Sequence, residues 1–518
     1  MKSFVKSIVL ALISAAASGL VSCVATNASM ENSIVTEMSE YFASVDKGMS
    51  YKQAIATVYE ENQTLSTQVQ QLQNENSQLG AQVESAPDIA FFSPSLVQDG
   101  LEISSGINNG VAKITGHVFT ISEQTQDAIR RQNIALLDNH LQEIFLKCGV
   151  LLDDDVDESN IISYYFNKSK FSSSTTAVTI LLTWACNFRC VYCYEGAGEI
   201  NNSVMTKSVA DSVIRFVINQ SNRQNSRYIN VMLFGGEPLL NIDIGFYILE
   251  KLKDYCDERG KILSCAMVTN GSLLSTEILN KLVKFGCNMI QITLDGPPEI
   301  HNKRRISKSG TPTFDCVINA IKLLEKYDSK IRSVIRINID KENFKEIPKL
   351  LSYIKEIGIQ SSKVDFGVVR SSTKACKSYE SHCFEDSEVG GMLAQLWNEA
   401  EKMGFSTKPV PSRKWNYCGL YNDYNFTISP LGELYKCWEL VGDSRHKCGN
   451  IDVNGEVRNL SSAFFDWMAI DPTKEEVCRN CVYLPVCGGG CKVISVNNGG
   501  TYNAPGCARV KDLLIKVK

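Results

Sequence analysis

Residues 182–195 of the chain have the sequence LTWACNFRCVYCYE, which contains three cysteines at the spacing Cys186-x3-Cys190-x2-Cys193. Three thiolates on one short loop can bind three irons of a 4Fe-4S cluster, and most such clusters take four cysteines. The next cysteine along the chain is Cys256. The spacing therefore predicts a cluster in which one iron has no protein ligand, and an open coordination position is typical of a catalytic metal.

Two other uses of this cysteine loop fit the sequence less well. A zinc knuckle would require a fourth Cys or His close by, and the five histidines of the chain lie far from the loop in sequence. A disulfide framework is typical of short secreted chains with an even cysteine count. This chain has 518 residues and 19 cysteines, which favours metal binding.

The cysteine loop, with an aromatic residue before its last cysteine, resembles the motif of the radical S-adenosylmethionine (SAM) family. The resemblance implies that a 4Fe-4S cluster on Cys186, Cys190 and Cys193 binds SAM through its open iron. It also implies an activity: an electron from a flavodoxin- or ferredoxin-like donor cleaves SAM, and the resulting 5′-deoxyadenosyl radical abstracts hydrogen from a substrate.

Length and composition predict a multidomain globular protein. A chain of 518 residues is expected to contain two to four domains. The hydrophobic fraction of 44% and the charged fraction of 21% are ordinary for such proteins. The formal net charge of -4 gives no electrostatic indication of nucleic-acid binding.

The first 23 residues form a signal-like segment. A basic start is followed by the apolar run 8–21 and by Leu20-Val21-Ser22-Cys23, which resembles a bacterial lipoprotein cleavage box. A cytosolic helix or an unused upstream start codon are the alternatives. Reduced thiolate chemistry favours a cytoplasmic location, whereas the lipoprotein-like signal would anchor the protein to a membrane.

Residues 24–115 are predicted to contain a coiled coil and a linker. Two apolar or Asn positions recur every seven residues, offset by three, which is typical of a parallel coiled-coil homodimer. They are Ile55, Asn62, Val69, Asn76 and Val83, and Val58, Leu65, Leu72 and Leu79. A single surface helix with the same apolar stripe is the alternative.

Residues 116–175 are predicted to be a small α/β segment, and similar segments precede the cluster loop in many peptide-modifying radical SAM enzymes.

Residues 176–375 alternate between strand-like and helix-like runs, which predicts an α/β fold with a parallel sheet, a partial (β/α)6 barrel. The predicted strands are 177–182, 229–234, 265–268, 289–294, 334–339 and 364–369, and the predicted helices include 209–219, 245–255, 277–285 and 317–327. In a barrel of parallel strands the site lies at the C-terminal strand ends.

Short motifs follow or lie within successive strands, and this order predicts a shared site. They are Gly235-Gly236-Glu237-Pro238, Thr269-Asn270-Gly271, Asp295-Gly296, Arg336 and Asn338. Glycines permit close backbone approach to a ligand. A glutamate can bind an ammonium and an arginine can bind a carboxylate bidentately. SAM carries both groups.

The resemblance implies that the Gly-Gly-Glu-Pro stretch binds the SAM amino group. It assigns to the cofactor site Tyr192, Gly235, Gly236, Glu237, Asp295 and Arg336.

After a connector at 376–412, residues 413–518 contain a second cysteine pattern that resembles the SPASM auxiliary-cluster domain. The resemblance implies two auxiliary 4Fe-4S clusters, an inner one on Cys418, Cys437 and Cys491 and an outer one on Cys478, Cys481, Cys487 and Cys507. Two structural zinc sites are the alternative. The run 426–435 predicts a β-hairpin that presents Cys437.

The resemblance as a whole predicts an oxidative radical SAM enzyme that modifies a side chain of a peptide or protein, with a thioether or carbon–carbon crosslink in a ribosomal peptide as the expected product. Sulfatase-maturating relatives carry another Cys before the first auxiliary cysteine and an Asp after the hairpin cysteine. Here residues 411–417 contain no Cys, and Trp438 takes the place of the Asp. Formylglycine formation on a sulfatase is therefore the second hypothesis, and a membrane-tethered electron-transfer protein is a third.

Overall fold

The structure is a computed structural model that describes residues 108–111, 118–131, 133–147, 151, 157–171, 174–196, 199, 201–405, 414–415, 417–481, 483–497 and 500–507. The signal-like segment and the heptad positions from Ile55 to Val83 lie outside these residues. Within the described ranges, no helix is both long enough and apolar enough to cross a membrane.

A short α/β segment precedes the barrel. Strands β1 (Asn108–Val111) and β2 (Val118–Ile121) pair antiparallel. Helices α1 (Glu123–Arg130), α2 (Asn139–Lys147) and α3 (Glu158–Phe171) follow. Strand β1 lies in the stretch predicted to be coiled coil and linker. Its sequence, NNGV, has no alternating apolar pattern, so the sequence alone gave no sign of it.

Six parallel strands form the barrel sheet, as the alternating pattern predicted. In chain order the strands up to the end of the barrel are β3 (Thr175–Leu181), β4 (Phe188–Cys190), β5 (Tyr228–Phe234), β6 (Ile262–Thr269), β7 (Cys287–Thr293), β8 (Arg305–Ser307), β9 (Arg332–Ile339) and β10 (Lys363–Val368). The sheet order is β10-β9-β7-β6-β5-β3, with every neighbouring pair parallel. The short β4 and β8 pair only with each other.

Helices cover the sheet and supply the core. They are α4 (Lys207–Arg223), α5 (Ile242–Arg259), α6 (Thr276–Lys284), α7 (Pro298–Arg304), α8 (Phe314–Glu325), α9 (Ile347–Glu356) and α10 (Asp386–Lys402). The four predicted helices correspond to α4, α5, α6 and α8. Side-chain caps fix two of the helix starts, because Thr206 accepts from the Val209 amide and Ser275 accepts from the Ile278 amide.

Helix α10 lies in the stretch 376–412 that was predicted to be a connector. It has 17 residues, and the buried side chains Val389, Leu393, Leu396 and Ala400 belong to the barrel core. These apolar residues recur at three- and four-residue intervals. The stretch up to Lys402 is therefore part of the barrel rather than a linker.

The C-terminal hairpin extends the barrel sheet. The strands are β11 (Phe426–Ile428), β12 (Glu433–Tyr435), β13 (Gly449–Ile451) and β14 (Val457–Arg458), and the helices are α11 (Ser462–Met468), α12 (Glu476–Arg479), α13 (Leu484–Cys487) and α14 (Lys492–Asn497). Strands β11 and β12 form the predicted antiparallel hairpin. Strand β11 also pairs parallel with β3, so the sheet continues to ten strands, a continuity that the sequence did not indicate.

Asn425 fastens this junction. Its side-chain oxygen accepts from the Ala177 amide at 2.9 Å, and its side-chain nitrogen donates to the Gly419 carbonyl at 2.7 Å. Both partners, the Ala177 amide and the Gly419 carbonyl, are backbone groups, and Asn425 itself is buried. The side chain therefore ties β3 to the segment that follows Cys418.

We expect Asn425→Ala to destabilise the chain by about 1–3 kcal/mol, because buried polar groups are left without partners. The measurement is the urea midpoint of the full chain. Asn288→Ala is the matched control, because Asn288 is exposed and bonds only to Ser264. Equal midpoints for the two variants would contradict a fastening role for Asn425.

Candidate active site

The cysteine loop is held by the segment that follows helix α7. Strand β4 pairs with β8, which aligns Cys190 with Arg305. The Val191 amide donates to the Arg304 carbonyl at 3.0 Å, and the Lys308 amide donates to the Asn187 carbonyl at 2.8 Å. Residues 304–308 therefore fix the backbone between Cys186 and Cys193. The sequence analysis did not identify this segment.

Gly235 and Gly236 lie against the backbone that leads into the loop. The Gly236 amide donates to the Thr183 carbonyl at 2.9 Å. A Cβ at Gly235, which has a φ of +142°, would lie 2.3 Å from the Thr183 oxygen, and one at Gly236 would lie 2.4 Å from the Trp184 oxygen. Only glycine fits this approach. The sequence analysis expected these glycines to approach a ligand closely. In the structure, the positions that their missing side chains would occupy are filled by the backbone of Thr183 and Trp184.

The Glu237 carboxylate is hydrogen-bonded within the protein. Glu237 is 0% exposed. Its carboxylate accepts from the Thr269 hydroxyl at 2.6 Å, the Leu239 amide at 3.0 Å and the Asn270 amide at 2.7 Å. Burial raises its pKa, and these three bonds oppose the rise. The carboxylate assigned by resemblance to SAM binding therefore joins the ends of β5 and β6.

Tyr192 and Asp295 form one buried network. The Tyr192 hydroxyl donates to Asp295 and accepts from the Arg305 guanidinium at 2.9 Å. The Asn338 amide donates to the Asp295 carboxylate at 3.0 Å. Burial raises the pKa of Tyr192 well above its usual value, so the hydroxyl keeps its proton. Asp295 therefore orients Tyr192 through this hydrogen bond and is a positioning residue for the cysteine loop.

Arg304 and Arg305 are site residues that the sequence analysis missed. Arg304 donates to Asp340 and lies 3.8 Å from Asp295, and both of its carboxylate partners are fully buried. Arg305 lies beside Cys190, and its Nε is buried without a hydrogen-bond partner in the structure. The sequence carried one sign of these residues, the two adjacent arginines that follow Pro297-Pro298. Arginines are rarely buried unless they are paired, so two of them together could have been examined for partners.

Part of the Arg336 guanidinium is already bonded to protein groups. Its guanidinium pairs with Asp365, its cross-strand neighbour on β10, and its Nε donates to Asn338 at 3.1 Å. A Cβ at Gly367 would lie 1.7 Å from Arg336 Nη2, so the missing side chain of Gly367 makes room for the guanidinium. Asp365 and Gly367 thereby set the orientation of Arg336.

A cavity of about 400 Å³ lies at the C-terminal ends of the barrel strands and brings most of these residues together. Its lining includes Cys186, Cys190, Cys193, Tyr192, Gly235, Gly236, Asn270, Arg305, Arg336, Arg370, Trp438 and Glu439. Glu237 and Asp295 are not among the lining residues. The buried Nη2 of Arg370, which lines the cavity, has no hydrogen-bond partner in the structure. The site thus presents an uncommitted guanidinium nitrogen together with the three thiols, which fits a polar ligand beside a metal cluster.

Several C-terminal cysteines are neighbours in the structure, and their division into two cluster sites stays a prediction. Burial raises the pKa of Cys437, and Cys418 and Cys491 are close enough to add to the effect. Burial raises the pKa of Cys478 to about 12, nearby Lys492 opposes the rise, and the neighbouring thiols of Cys507, Cys487 and Cys481 add to it. Among the described residues, no three metal-binding side chains are arranged to hold one ion. A cube carries each thiolate on a separate iron, so its ligands need not share one point.

This arrangement defines the class of domain that the barrel forms. A parallel barrel sheet with three cysteines on the loop after its first strand is the architecture of radical SAM proteins, and residues 180–354 match the Radical SAM superfamily. Residues 180–354 therefore form a radical SAM domain, and the chain is an enzyme. A domain of this family implies a 4Fe-4S cluster and SAM as cofactors.

Among its relatives are maturases of other proteins. A cysteine-type anaerobic sulfatase-maturating enzyme of Clostridium perfringens is 24% identical over 334 residues, which cover 59% of this chain and 86% of that protein. The radical SAM cyclopropyl synthase TigE of Paramaledivibacter caminithermalis is 23% identical, covering 63% of this chain and 69% of that protein. The solved structure of native anSMEcpe with bound AdoMet and Cp18Cys peptide shares the fold, with a TM-score of 0.53, 20% identity and coverage of 66% of this chain and 96% of that one.

We expect Glu237→Gln to lower the melting temperature of the metal-free protein, because an amide cannot replace a carboxylate that accepts three hydrogen bonds. The loss should be about 1.5–3 kcal/mol, the range for bonds to a charged group. Thr269→Val removes one of the three donors and should lower the temperature less. An unchanged melting temperature together with weaker SAM binding would show instead that the carboxylate faces SAM.

Proposed function

We propose that this enzyme uses a SAM-derived radical to modify a side chain of a peptide or protein substrate. The observation that carries the proposal is the lining of the cavity. The lining includes the three cysteines of the first motif and also Trp438 and Glu439, which directly follow the hairpin cysteine Cys437. A substrate side chain in this cavity would lie between the SAM site and the inner auxiliary cysteines.

The proposed cofactors are assigned to the three-cysteine loop and to the C-terminal cysteines. Cys186, Cys190 and Cys193 would hold the cluster that binds SAM, and the C-terminal sets would hold two auxiliary 4Fe-4S clusters. When bound, the first cluster and SAM supply a 5′-deoxyadenosyl radical that abstracts hydrogen from the substrate. The buried Arg305, which is the cross-strand neighbour of Cys190, offers positive charge to an anionic cluster.

The remaining residues would hold SAM and shield the reaction. Gly235 and Gly236 line the cavity as half-buried backbone, Tyr192 keeps a fixed hydroxyl there, and Arg336 offers the part of its guanidinium that Asp365 does not use. Apolar side chains on the strands, such as Met232, Val268 and Met289, also line the cavity. They exclude water from a reactive site.

The product class that we favour is a thioether or carbon–carbon crosslink in a ribosomal peptide. Trp438 lines the cavity, and its ring lies 6.2 Å from that of Phe234. The Trp438 ring cannot replace the carboxylate of the Asp that sulfatase-maturating relatives carry at this position. Formylglycine formation remains the second candidate, because the neighbouring Glu439 places a carboxylate in the same cavity.

The proposed partners are a peptide or protein substrate and a flavodoxin- or ferredoxin-like electron donor. An electron-transfer protein of the third hypothesis would not need a SAM-sized cavity beside its cluster. We retain the cytoplasmic location and the domain limits of the sequence analysis as proposals, except that the described part of 376–412 contains helix α10. The lipoprotein-like signal and the coiled-coil homodimer also remain proposals.

We expect Cys186→Ala, Cys190→Ala and Cys193→Ala each to abolish reductive cleavage of SAM, because each thiolate would anchor one iron of the SAM-binding cluster. Chromatography of 5′-deoxyadenosine after dithionite reduction measures this. Anaerobically reconstituted wild type should hold about twelve irons, and each variant about eight. Cys316→Ala is the control with unchanged output. Deoxyadenosine formation by any of the three variants would refute the assignment.

We expect Leu65→Asp with Leu72→Asp to convert a dimer into a monomer, because charges at seam positions oppose coiled-coil pairing. Sedimentation velocity of the full chain measures this. Thr67→Asp with Asn74→Asp, two outer positions of the same heptads, is the matched control and should stay dimeric. A dimer that survives both double substitutions would place the interface elsewhere in the chain.

A further inference from the structure

Two lysines are buried among the auxiliary cysteines. Lys436 precedes Cys437 and is 1% exposed, and Lys492 follows Cys491 and is 2% exposed. A lysine is almost never fully buried without a partner. The partners of these two side chains therefore indicate what each one does.

Lys436 is satisfied by the protein alone. An ammonium has three donors. Those of Lys436 are used by the carbonyls of Asn422 at 2.7 Å, Asn425 at 2.8 Å and Asp423 at 3.2 Å. The ammonium also lies 4.0 Å from the centre of the Phe426 ring. Lys436 thus holds together the turn that leads into β11.

Lys492 is not satisfied in this way. One hydrogen bond is found for its ammonium, to the Ala504 carbonyl at 3.2 Å. A Cβ at Gly489 would lie 3.9 Å from the Lys492 ammonium nitrogen, and Gly489 lies between Cys487 and Cys491. The ammonium therefore lies beside the turn that carries Cys487 and, through Ala504, beside the segment that ends in Cys507.

The backbone around Lys492 keeps it in this place. The Ser495 hydroxyl donates to the same Ala504 carbonyl at 2.7 Å. The Cys491 amide donates to the Gly506 carbonyl at 3.3 Å. A Cβ at Gly506 would lie 2.2 Å from the Cys491 oxygen. The segment that ends in Cys507 is thereby fixed against the start of α14, where Lys492 lies.

We propose that Lys492 is the built-in counter-charge of the outer four-cysteine site, and that its ammonium makes a cluster bound there easier to reduce. The inference rests on the auxiliary clusters of the proposed function. Adding one electron to a cluster makes its charge more negative by one, and a buried cation beside it stabilises the reduced form. Lys492 would thus favour the outer site as the acceptor of the electron that the substrate loses.

The test compares Lys492→Met with Lys436→Met in the anaerobically reconstituted full chain. Potentiometric titration followed by electron paramagnetic resonance measures the midpoint of each cluster, and Cys478→Ala with Cys481→Ala identifies the outer signal by its loss. We expect Lys492→Met to shift the outer midpoint to more negative potential, and Lys492→Arg to restore it. An outer midpoint unchanged in Lys492→Met, with full iron content, would overturn the role of Lys492 alone.

A second measurement does not depend on redox chemistry. In the metal-free protein we expect Lys492→Met to raise the melting temperature, because an uncompensated buried charge is removed. Lys436→Met should lower it, because three buried carbonyls lose their donor. A fall in both variants would overturn the counter-charge role. Wild type that never holds more than about four irons would overturn the auxiliary clusters of the proposed function as well.

Discussion

The close contact between two backbone segments is the constraint on which the rest of the site depends. Gly235 and Gly236 approach the chain at Thr183–Ala185 so closely that no side chain fits between them. The Glu237 amide then donates to the Ala185 carbonyl, one residue before the first cysteine. The loop that carries the three thiols is therefore built on the end of the neighbouring strand, and β8 holds its other side.

Most of the barrel could be predicted from the sequence because its signals are local. The six parallel strands are apolar runs between helical patterns, and the cysteine spacing marks the end of the first. Helix α10 was missed because its apolar stripe lies in a stretch with no motif on either side. The pairing of β11 with β3 joins residues about 250 positions apart (Phe426 with Val178), and no local pattern reports such a partner.

The site was predicted less completely than the fold. Sequence identifies residue types that suit a ligand, but it does not show which of them are already committed to the protein. Glu237 has three protein donors, Asp295 lies behind Tyr192, and Arg336 is paired with Asp365. Arg304 and Arg305 were overlooked for the converse reason: their neighbours in the structure, Asp340 and Cys190, are far from them along the chain.

The pairing of β11 with β3 has a consequence for how the enzyme must work. One hydrogen-bonded sheet runs through both the barrel and the hairpin before Cys437. Moving the two cysteine regions apart would break the backbone pairing of β11 with β3. The distance between the two regions is therefore set by the register of this pairing rather than by a hinge between domains.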